Sequence, residues 1–249
     1  MPRKLKWTAA LKHNGISQSI VQDVHGEATV TNDLLEDSLR QLNLLRKQES
    51  IEEYEDVSLW QRGGAETYIA VGALTVQGPQ GREIRDFIAK AAVTFPTRPE
   101  DSVNECRRRL SLLLALGIPG PTIYSSLKAV LYQEFLPIAF GPYWQSADEG
   151  ERKSLRKQLA DIAAVIDACG FRPLSFTYDL MMRRNTICIV DVGADLGPWH
   201  FSTPRETAYE QLKQSQFIVS DLIPEFRSRY RIRYGRTREA IQQLPEEYS

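Results

Sequence analysis

The sequence predicts an α+β fold of two lobes, in which a β-rich N-terminal half with one long helix precedes a helical C-terminal half. Between residues 57 and 93, apolar residues follow the period of a strand, and glycine turns such as 78–81 separate the runs. Beyond residue 149 the apolar spacing becomes helical. The change falls near Leu136 and Pro137, which predicts an N-lobe over 55–137 and a C-lobe over 138–249.

Residues 1–54 are expected to form an extension ahead of these lobes. The triplet that begins at Thr31 can cap a helix, and leucines at near-helical spacing from Leu34 to Leu45 predict that this helix covers 33–47. The acidic residues that follow, over 49–56, predict a linker.

The long helix is predicted over about 100–116, with Arg107, Arg108 and Arg109 largely outside and a stop at the glycines and prolines of 117–121. The remaining predicted elements are strands over 122–125 and 129–135, a strand pair over 179–191, and helices over 154–169, 204–222 and 236–243.

The composition is that of an ordinary globular chain, with 249 residues of which 42% are hydrophobic and 25% charged, and a formal net charge of -1. This balance favours neither a nucleic acid nor a membrane as the partner of the whole chain. No run approaches the roughly 18 apolar residues of a membrane span, and no apolar signal core follows the basic start. Because no run could span a bilayer, no membrane partner is expected. Since Cys106, Cys169 and Cys188 are scattered and odd in number, the sequence predicts reduced thiols in a cytoplasmic protein.

Asp191 is the first candidate for chemistry. It follows an apolar run over 187–190 that predicts a buried strand, and Gly193 lets the chain leave that strand sharply. A carboxylate held at a strand end suits Mg²⁺, which prefers hard oxygen ligands alongside substrate phosphates. Taken alone, the pattern is more typical of an ordinary turn.

Lys90 is the second candidate, since it interrupts an apolar strand. A buried lysine is unfavourable unless it is paired, and Glu105 in the long helix could be its ion partner, with Glu100 as a rival. The alternative is an edge strand that leaves Lys90 in solvent. Ahead of this strand, Gly63 and Gly64 predict a hairpin whose backbone N–H groups could lie over phosphates, or a plain tight hairpin.

Together these residues resemble the protein-kinase-like fold, in particular the branch of aminoglycoside phosphotransferases and choline kinases. The resemblance covers roughly 55–200. It is strongest from Glu105 to Tyr124, from Val130 to Pro137, and from Thr186 to Gly197, which resemble a helix with its following turn, a hinge strand, and a strand that delivers a metal-binding Asp.

The resemblance implies that the chain binds ATP and Mg²⁺. Gly63 and Gly64 would belong to the loop that covers the nucleotide. Lys90 would touch the phosphates and Glu105 would orient it. Glu134 and Leu136 would offer backbone groups to adenine, and Asp191 would hold the metal.

The sequence departs from the family in the catalytic loop, where the family has an Asp that accepts the substrate proton and an Asn that binds the metal. The spacing puts Asp179 at the position of the Asn, as a second metal ligand, and Leu174 at the position of the base. The alternative register makes Asp179 the base and leaves Asn185 to serve the metal.

Two classes of function follow from this resemblance. The first is an atypical kinase that transfers a phosphoryl group to an unknown small molecule or protein. The second is a pseudokinase, a nucleotide-binding scaffold or interaction module without transfer activity. A third interpretation is an unrelated α+β binding module.

Six arginines lie between Arg227 and Arg238, with Tyr230 and Tyr234 among them. Such a run could contact the phosphates or bases of a nucleic acid. A solvated face, or pairing with the acidic stretch that includes Glu52 and Asp56, is the interpretation that the pattern favours.

Overall fold

A computed structural model describes residues 6–7, 15–27, 29–63, 67–92, 99–193, 196, 206–218 and 220–245. Within these ranges, helices occur together with antiparallel strands, as predicted. The chain divides into two compact units. The first comprises Met1–Asn104 and Thr122–Phe135, and the second comprises Glu105–Pro121 and Leu136–Ser249. None of the helices in the described ranges combines the length and the apolar composition needed to cross a membrane.

The first unit is built on a sheet of mostly antiparallel strands. Its strands are β1 (Lys6–Trp7), β2 (Ser50–Asp56), β3 (Gln61–Arg62), β4 (Thr67–Gly78), β5 (Gly81–Ala92), β6 (Ile123–Leu127) and β7 (Val130–Glu134). They lie in the order β1-β2-β4-β5-β7-β6, with β3 paired to β4 and β1 parallel to β2. The long β4–β5 hairpin is the centre of this sheet, and its register runs from Gly78 opposite Gly81 to Thr67 opposite Ala92.

Two helices cover one face of the sheet. They are α1 (Ile16–His25) and α2 (Asn32–Gln41). Apolar side chains from both helices, among them Ile20 and Leu39, form one core cluster with Phe87 and Tyr132 of the sheet. Phe87 and Ala89 of β5 face this core. Since side chains alternate along a strand, the next residue, Lys90, lies on the opposite face of the sheet.

The helix predicted over 33–47 ends at Gln41. Asn43 adopts the left-handed conformation, with φ 58°, and the N–H groups of Leu44 and Leu45 both turn back to the carbonyl of Leu39. Leu42, Leu44 and Leu45 are nevertheless fully buried. Their spacing therefore reflects burial in a compact turn rather than the continuation of a helix.

The prediction of a linker over 49–56 was wrong, because Ser50–Asp56 is strand β2. Three of the acidic side chains over 49–56 have a structural partner. Glu49 is buried and accepts hydrogen bonds of 3.0 Å from both terminal nitrogens of Arg85. Glu52 pairs with Arg82, and Asp56 accepts the backbone N–H of Ser17 in the first turn of α1.

The second unit is mainly helical. Its elements are most of α3 (Pro99–Ala115), then β8 (Ile138–Ala139), α4 (Phe140–Ser146), α5 (Glu149–Ala168), β9 (Leu180–Arg183), β10 (Thr186–Ile189), α6 (Ala208–Gln214), a 3₁₀ turn (Ser220–Leu222) and α7 (Ile223–Ile241). Strands β8, β9 and β10 form a small antiparallel sheet. The last helix begins well before the predicted residue 236, since Pro224 occupies its first turn, a position that tolerates proline.

Asp167 joins three helices of this unit. It is buried near the end of α5, and its carboxylate accepts hydrogen bonds from the N–H groups of Ala208 (2.8 Å) and Tyr209 (3.0 Å) at the start of α6. The hydroxyl of Tyr230 in α7 donates a further bond of 2.9 Å. The first helical residues of α6 thus obtain a charged acceptor for their otherwise unsatisfied N–H groups.

Candidate functional site

The β9–β10 hairpin brings the backbones of two predicted metal ligands to one end. Leu180 pairs with Ile189, and beyond this pair the N–H of Val190 donates to the carbonyl of Asp179 at 2.9 Å. Asp179 precedes β9 directly, and Asp191 follows β10 by two residues. Both aspartates are half-buried. The backbones of two aspartates therefore lie at the same end of a short, paired element.

The carboxylate of Asp191 is tied to its own turn. Its Oδ1 accepts a hydrogen bond from the N–H of Gly193 at 3.3 Å, a local bond that Asp commonly makes two residues along the chain. The bond uses one of the two carboxylate oxygens.

Arg109 of α3 contacts the same turn. Its Nη1 donates to the carbonyl of Gly193 at 2.6 Å and to that of Val192 at 3.4 Å. The side chain is only 5% exposed, and its guanidinium lies over the ring of Phe171, 5.7 Å from the centroid. The prediction that Arg109 lies largely outside was therefore wrong, and its contact with the turn that follows Asp191 was missed.

Glu105 is paired within its own helix. Its carboxylate accepts two hydrogen bonds from Arg108, at 2.9 and 3.0 Å, and one from Arg109 at 2.7 Å. These bonds, chiefly those from Arg108, lower the pKa of Glu105 below its ordinary value. The predicted ion pair of Glu105 with Lys90 stays a prediction.

The two aspartates fit a Mg²⁺ ion whose remaining coordination positions are filled by water and by the phosphates of a bound substrate. Magnesium sites in proteins often use one or two carboxylates and complete the octahedron with water and substrate phosphates. Asp179 and Asp191 supply such a pair. In the described ranges, no group of three or more His, Cys, Asp or Glu side chains could hold a metal ion, so a closed protein site of the structural zinc kind does not fit them.

Asn185 does not fit the alternative function as a metal ligand. It lies with Arg184 in the turn that joins β9 to β10, and its Oδ1 accepts a bond from the Tyr143 hydroxyl at 2.9 Å. Four strand residues separate it from the end that carries Asp191, which at about 3.3 Å per residue is roughly 13 Å. The hairpin therefore places Asp179, and not Asn185, at the end that carries Asp191, while the function of either residue as a metal ligand stays a prediction.

The loop before Asp179 is fixed by a residue that the sequence did not suggest. Gln211 of α6 donates its amide to the carbonyl of Pro173 at 2.6 Å and accepts the N–H of Phe176 at 2.9 Å. Leu174, between these two bonds, is 55% exposed. The position predicted for the base therefore carries an apolar side chain on a well-defined loop.

Lys90 lies in the interior of the sheet. Strand β5 has β4 on one side and β7 on the other, and Lys90 stands opposite Ile69 and Leu131. The side chain is half-buried. The alternative of an edge strand with Lys90 in solvent was wrong.

Gly63 closes the β3–β4 hairpin, where its N–H donates to the carbonyl of Thr67 at 2.9 Å. A Cβ at this position would lie 2.6 Å from Cγ2 of Ile69, so any other residue here would force the Ile69 side chain to shift. Gly64 lies outside the described residues. A phosphate contact of either glycine stays a prediction.

Glu134 ends β7 and is bonded to the segment before β6. Its N–H donates to the carbonyl of Thr122 at 2.8 Å, and its Oε2 accepts the N–H and the hydroxyl of the same threonine at 3.0 Å. Since this N–H is in use, an adenine contact would fall to the carbonyl of Glu134 and to the backbone of Leu136. These contacts stay predictions.

No family model matches the sequence, and no curated protein is similar to it. Among solved structures, the chain is similar to the Rio2 kinase–ADP/Mg²⁺–phosphoaspartate complex from Chaetomium thermophilum. The sequences are 12% identical, the TM-score is 0.42, and the similarity covers 84% of this chain and 76% of the other.

Proposed function

We propose that this chain is a kinase-like protein that binds ATP together with Mg²⁺. The observation that carries the proposal is the β9–β10 hairpin, which holds Asp179 and Asp191 at one end. Hard carboxylates in such a pair are the ligands that Mg²⁺ uses when phosphates complete its coordination. Lys90, a half-buried cation in an interior strand, is the second support.

In this proposal each residue has one task. Asp179 and Asp191 hold the metal, which when bound neutralises charge on the phosphate oxygens. The ammonium of Lys90 binds the phosphates as a compact charge. Gly63 and Gly64 belong to the loop over the phosphates, while the backbone carbonyl of Glu134 and the backbone of Leu136 contact adenine.

We further propose that the chain transfers the phosphoryl group to a small molecule or a protein in the cytoplasm. Such a transfer depends mostly on positioning and on charge neutralisation. General-base help contributes about 10²–10⁴-fold, so the lack of a base at Leu174 predicts slow transfer rather than none.

A scaffold without transfer activity is the second candidate. The observation that favours it is the exposed Leu174 on a loop that Gln211 fixes from both sides. In this candidate, nucleotide binding stabilises a surface that engages a partner.

The stability of the chain with and without ATP and Mg²⁺ tests the proposal. A nucleotide at about 100 times its dissociation constant should raise the free energy of unfolding by about 2.7 kcal/mol. Lys90→Ala, Asp179→Ala and Asp191→Ala should each reduce this increase. Asp221→Ala, which removes an exposed carboxylate of the 3₁₀ turn, is the matched control and should keep it.

A wild-type chain that gains no stability from ATP and Mg²⁺ contradicts the proposal. If stability rises, incubation of γ-labelled ATP with cell extract separates the two candidates. A labelled acceptor that disappears with Asp191→Ala identifies an enzyme, and the lack of any labelled acceptor identifies a scaffold.

A further inference from the structure

Arg109 is a buried cation with an unusual set of partners. Its Nε donates to Oε1 of Glu105 at 2.7 Å, and its Nη1 donates to the carbonyl of Gly193 at 2.6 Å. The guanidinium therefore joins a carboxylate on α3 to a backbone carbonyl in the turn that follows β10. The sequence separation of 84 residues means that α3 folds onto this turn through a specific contact.

The geometry of this contact requires arginine. A guanidinium presents several N–H donors in a rigid fork, so it can bind a carboxylate and a carbonyl in fixed directions, whereas lysine has one flexible ammonium. Hydrogen bonds from a charged donor are roughly twice as strong as neutral ones. A cation this deeply buried would be strongly unfavourable without such partners.

Both backbone polar groups of Gly193 are hydrogen-bonded. Its N–H donates to Oδ1 of Asp191, and its carbonyl accepts the bond from Arg109. Because the same residue makes both bonds, a shift of the carbonyl also moves the donor that orients the Asp191 carboxylate. The chain of contacts runs from Glu105 through Arg109 and Gly193 to Asp191.

We infer that Arg109 is a positioning residue for the metal: it fixes the 191–193 turn, and Glu105 acts on Asp191 through Arg109. The inference rests on the proposed function, since it assigns Asp191 to Mg²⁺. It gives Glu105 a task within the second unit that does not depend on Lys90. Residues that orient a metal ligand without contacting the metal contribute about 10–100-fold to metal affinity.

The test is a titration of Mg²⁺ at a fixed ATP concentration, followed by thermal stability. Arg109→Lys should raise the Mg²⁺ concentration at the midpoint about 10–100-fold, while the affinity for ATP in excess EDTA stays as in the wild type. Arg107→Lys, an exposed arginine on the same helix, is the matched control and should leave the midpoint unchanged.

A second measurement needs no ligand. Amide hydrogen exchange of the peptide that contains 190–193 should be faster in Arg109→Lys, and exchange in the β4–β5 hairpin should not change. If Arg109→Lys does not fold, Glu105→Gln replaces it, because this variant keeps the guanidinium of Arg109 and removes the carboxylate that orients it.

The outcomes separate this inference from the proposed function. A wild-type chain without any nucleotide-dependent stabilisation overturns both. A wild-type chain that responds to ATP and Mg²⁺, with an unchanged midpoint in the folded Arg109 variant, overturns the inference alone. An equal loss of affinity with Mg²⁺ and in EDTA also overturns it, because it indicates general damage rather than a displaced metal ligand.

Discussion

The ion pair of Glu49 with Arg85 fixes the position of a turn in the first unit. Its carboxylate and the guanidinium of Arg85 are both buried, and Arg85 also donates to the carbonyl of Leu44 and to Glu83. The hydrogen bonds from Arg85 hold the pKa of Glu49 below its ordinary value. The pair thereby fixes the turn before β2 to the middle of the sheet.

Replacement of Glu49 by Gln should lower the free energy of unfolding at pH 7 by about 3 kcal/mol, because Arg85 keeps its burial and loses its main partner. A folded-state pKa below the unfolded value of about 4.3 means that the pair stabilises the fold fully above that pH. Below it, this contribution decreases progressively and is lost as the pH falls through the lower folded-state pKa. Urea unfolding at pH 7 and pH 4 measures both effects.

The wild type should therefore lose more stability between pH 7 and pH 4 than Glu49→Gln does. Glu52→Gln is the control, since Glu52 pairs with Arg82 in an exposed bridge that contributes at most about 1 kcal/mol. Equal stability of Glu49→Gln and Glu52→Gln at pH 7 would contradict the assignment.

Among the elements, α7 is held to its neighbours by polar contacts along its inner side. Arg229 pairs with Asp161 of α5, Arg233 donates to the carbonyl of Leu116, and the hydroxyl of Tyr230 donates to Asp167. Part of the arginine run thus has structural partners, while Arg231 and Arg236 are exposed. A nucleic-acid contact through the run stays a prediction.

The hydrogen bond from Tyr230 to Asp167 should contribute to the packing of α7. Tyr230→Phe removes a donor and leaves a buried carboxylate with one bond fewer, which should lower the free energy of unfolding by about 1–3 kcal/mol. Tyr234→Phe, one turn further along α7, should change it by no more than about 0.5 kcal/mol. Denaturant unfolding of both variants measures the difference, and similar losses in the two would show that the Tyr230 hydroxyl is not the cause.

At the scale of the molecule, the proposed function assigns Lys90 and Asp191 to the same nucleotide. If both residues serve the same nucleotide, their contributions to its binding should not add. The double variant Lys90→Ala with Asp191→Ala should lose less binding free energy than the two single variants together, by more than about 0.5 kcal/mol.

Calorimetric titration of ATP and Mg²⁺ into the four chains of this cycle measures the coupling. Lys90→Ala combined with Asp221→Ala is the control pair and should be additive. Additive losses for Lys90 and Asp191 as well would assign the two residues to separate ligands.

Sequence periodicity predicted the interior strands and the placement of Asp191 after a buried strand, because both are local properties of the chain. It could not predict that Glu49 is buried, since its partner Arg85 is 36 residues away. Arg109 was missed for the same reason: three consecutive arginines on a helix carry no mark of the one that faces inward. The helix over 33–47 was predicted too long because leucines such as those at 42–45 are typical of buried turns as well as of helices.

Gln211 sets the backbone around Leu174 through the carbonyl of Pro173 and the N–H of Phe176, and the side chain of Leu174 takes no part in this. The backbone position of residue 174 is thus set by helix α6, whereas the chemistry at this position depends on one exposed side chain. Replacement of Leu174 by an acidic residue would therefore change that chemistry without changing the contacts that hold the loop.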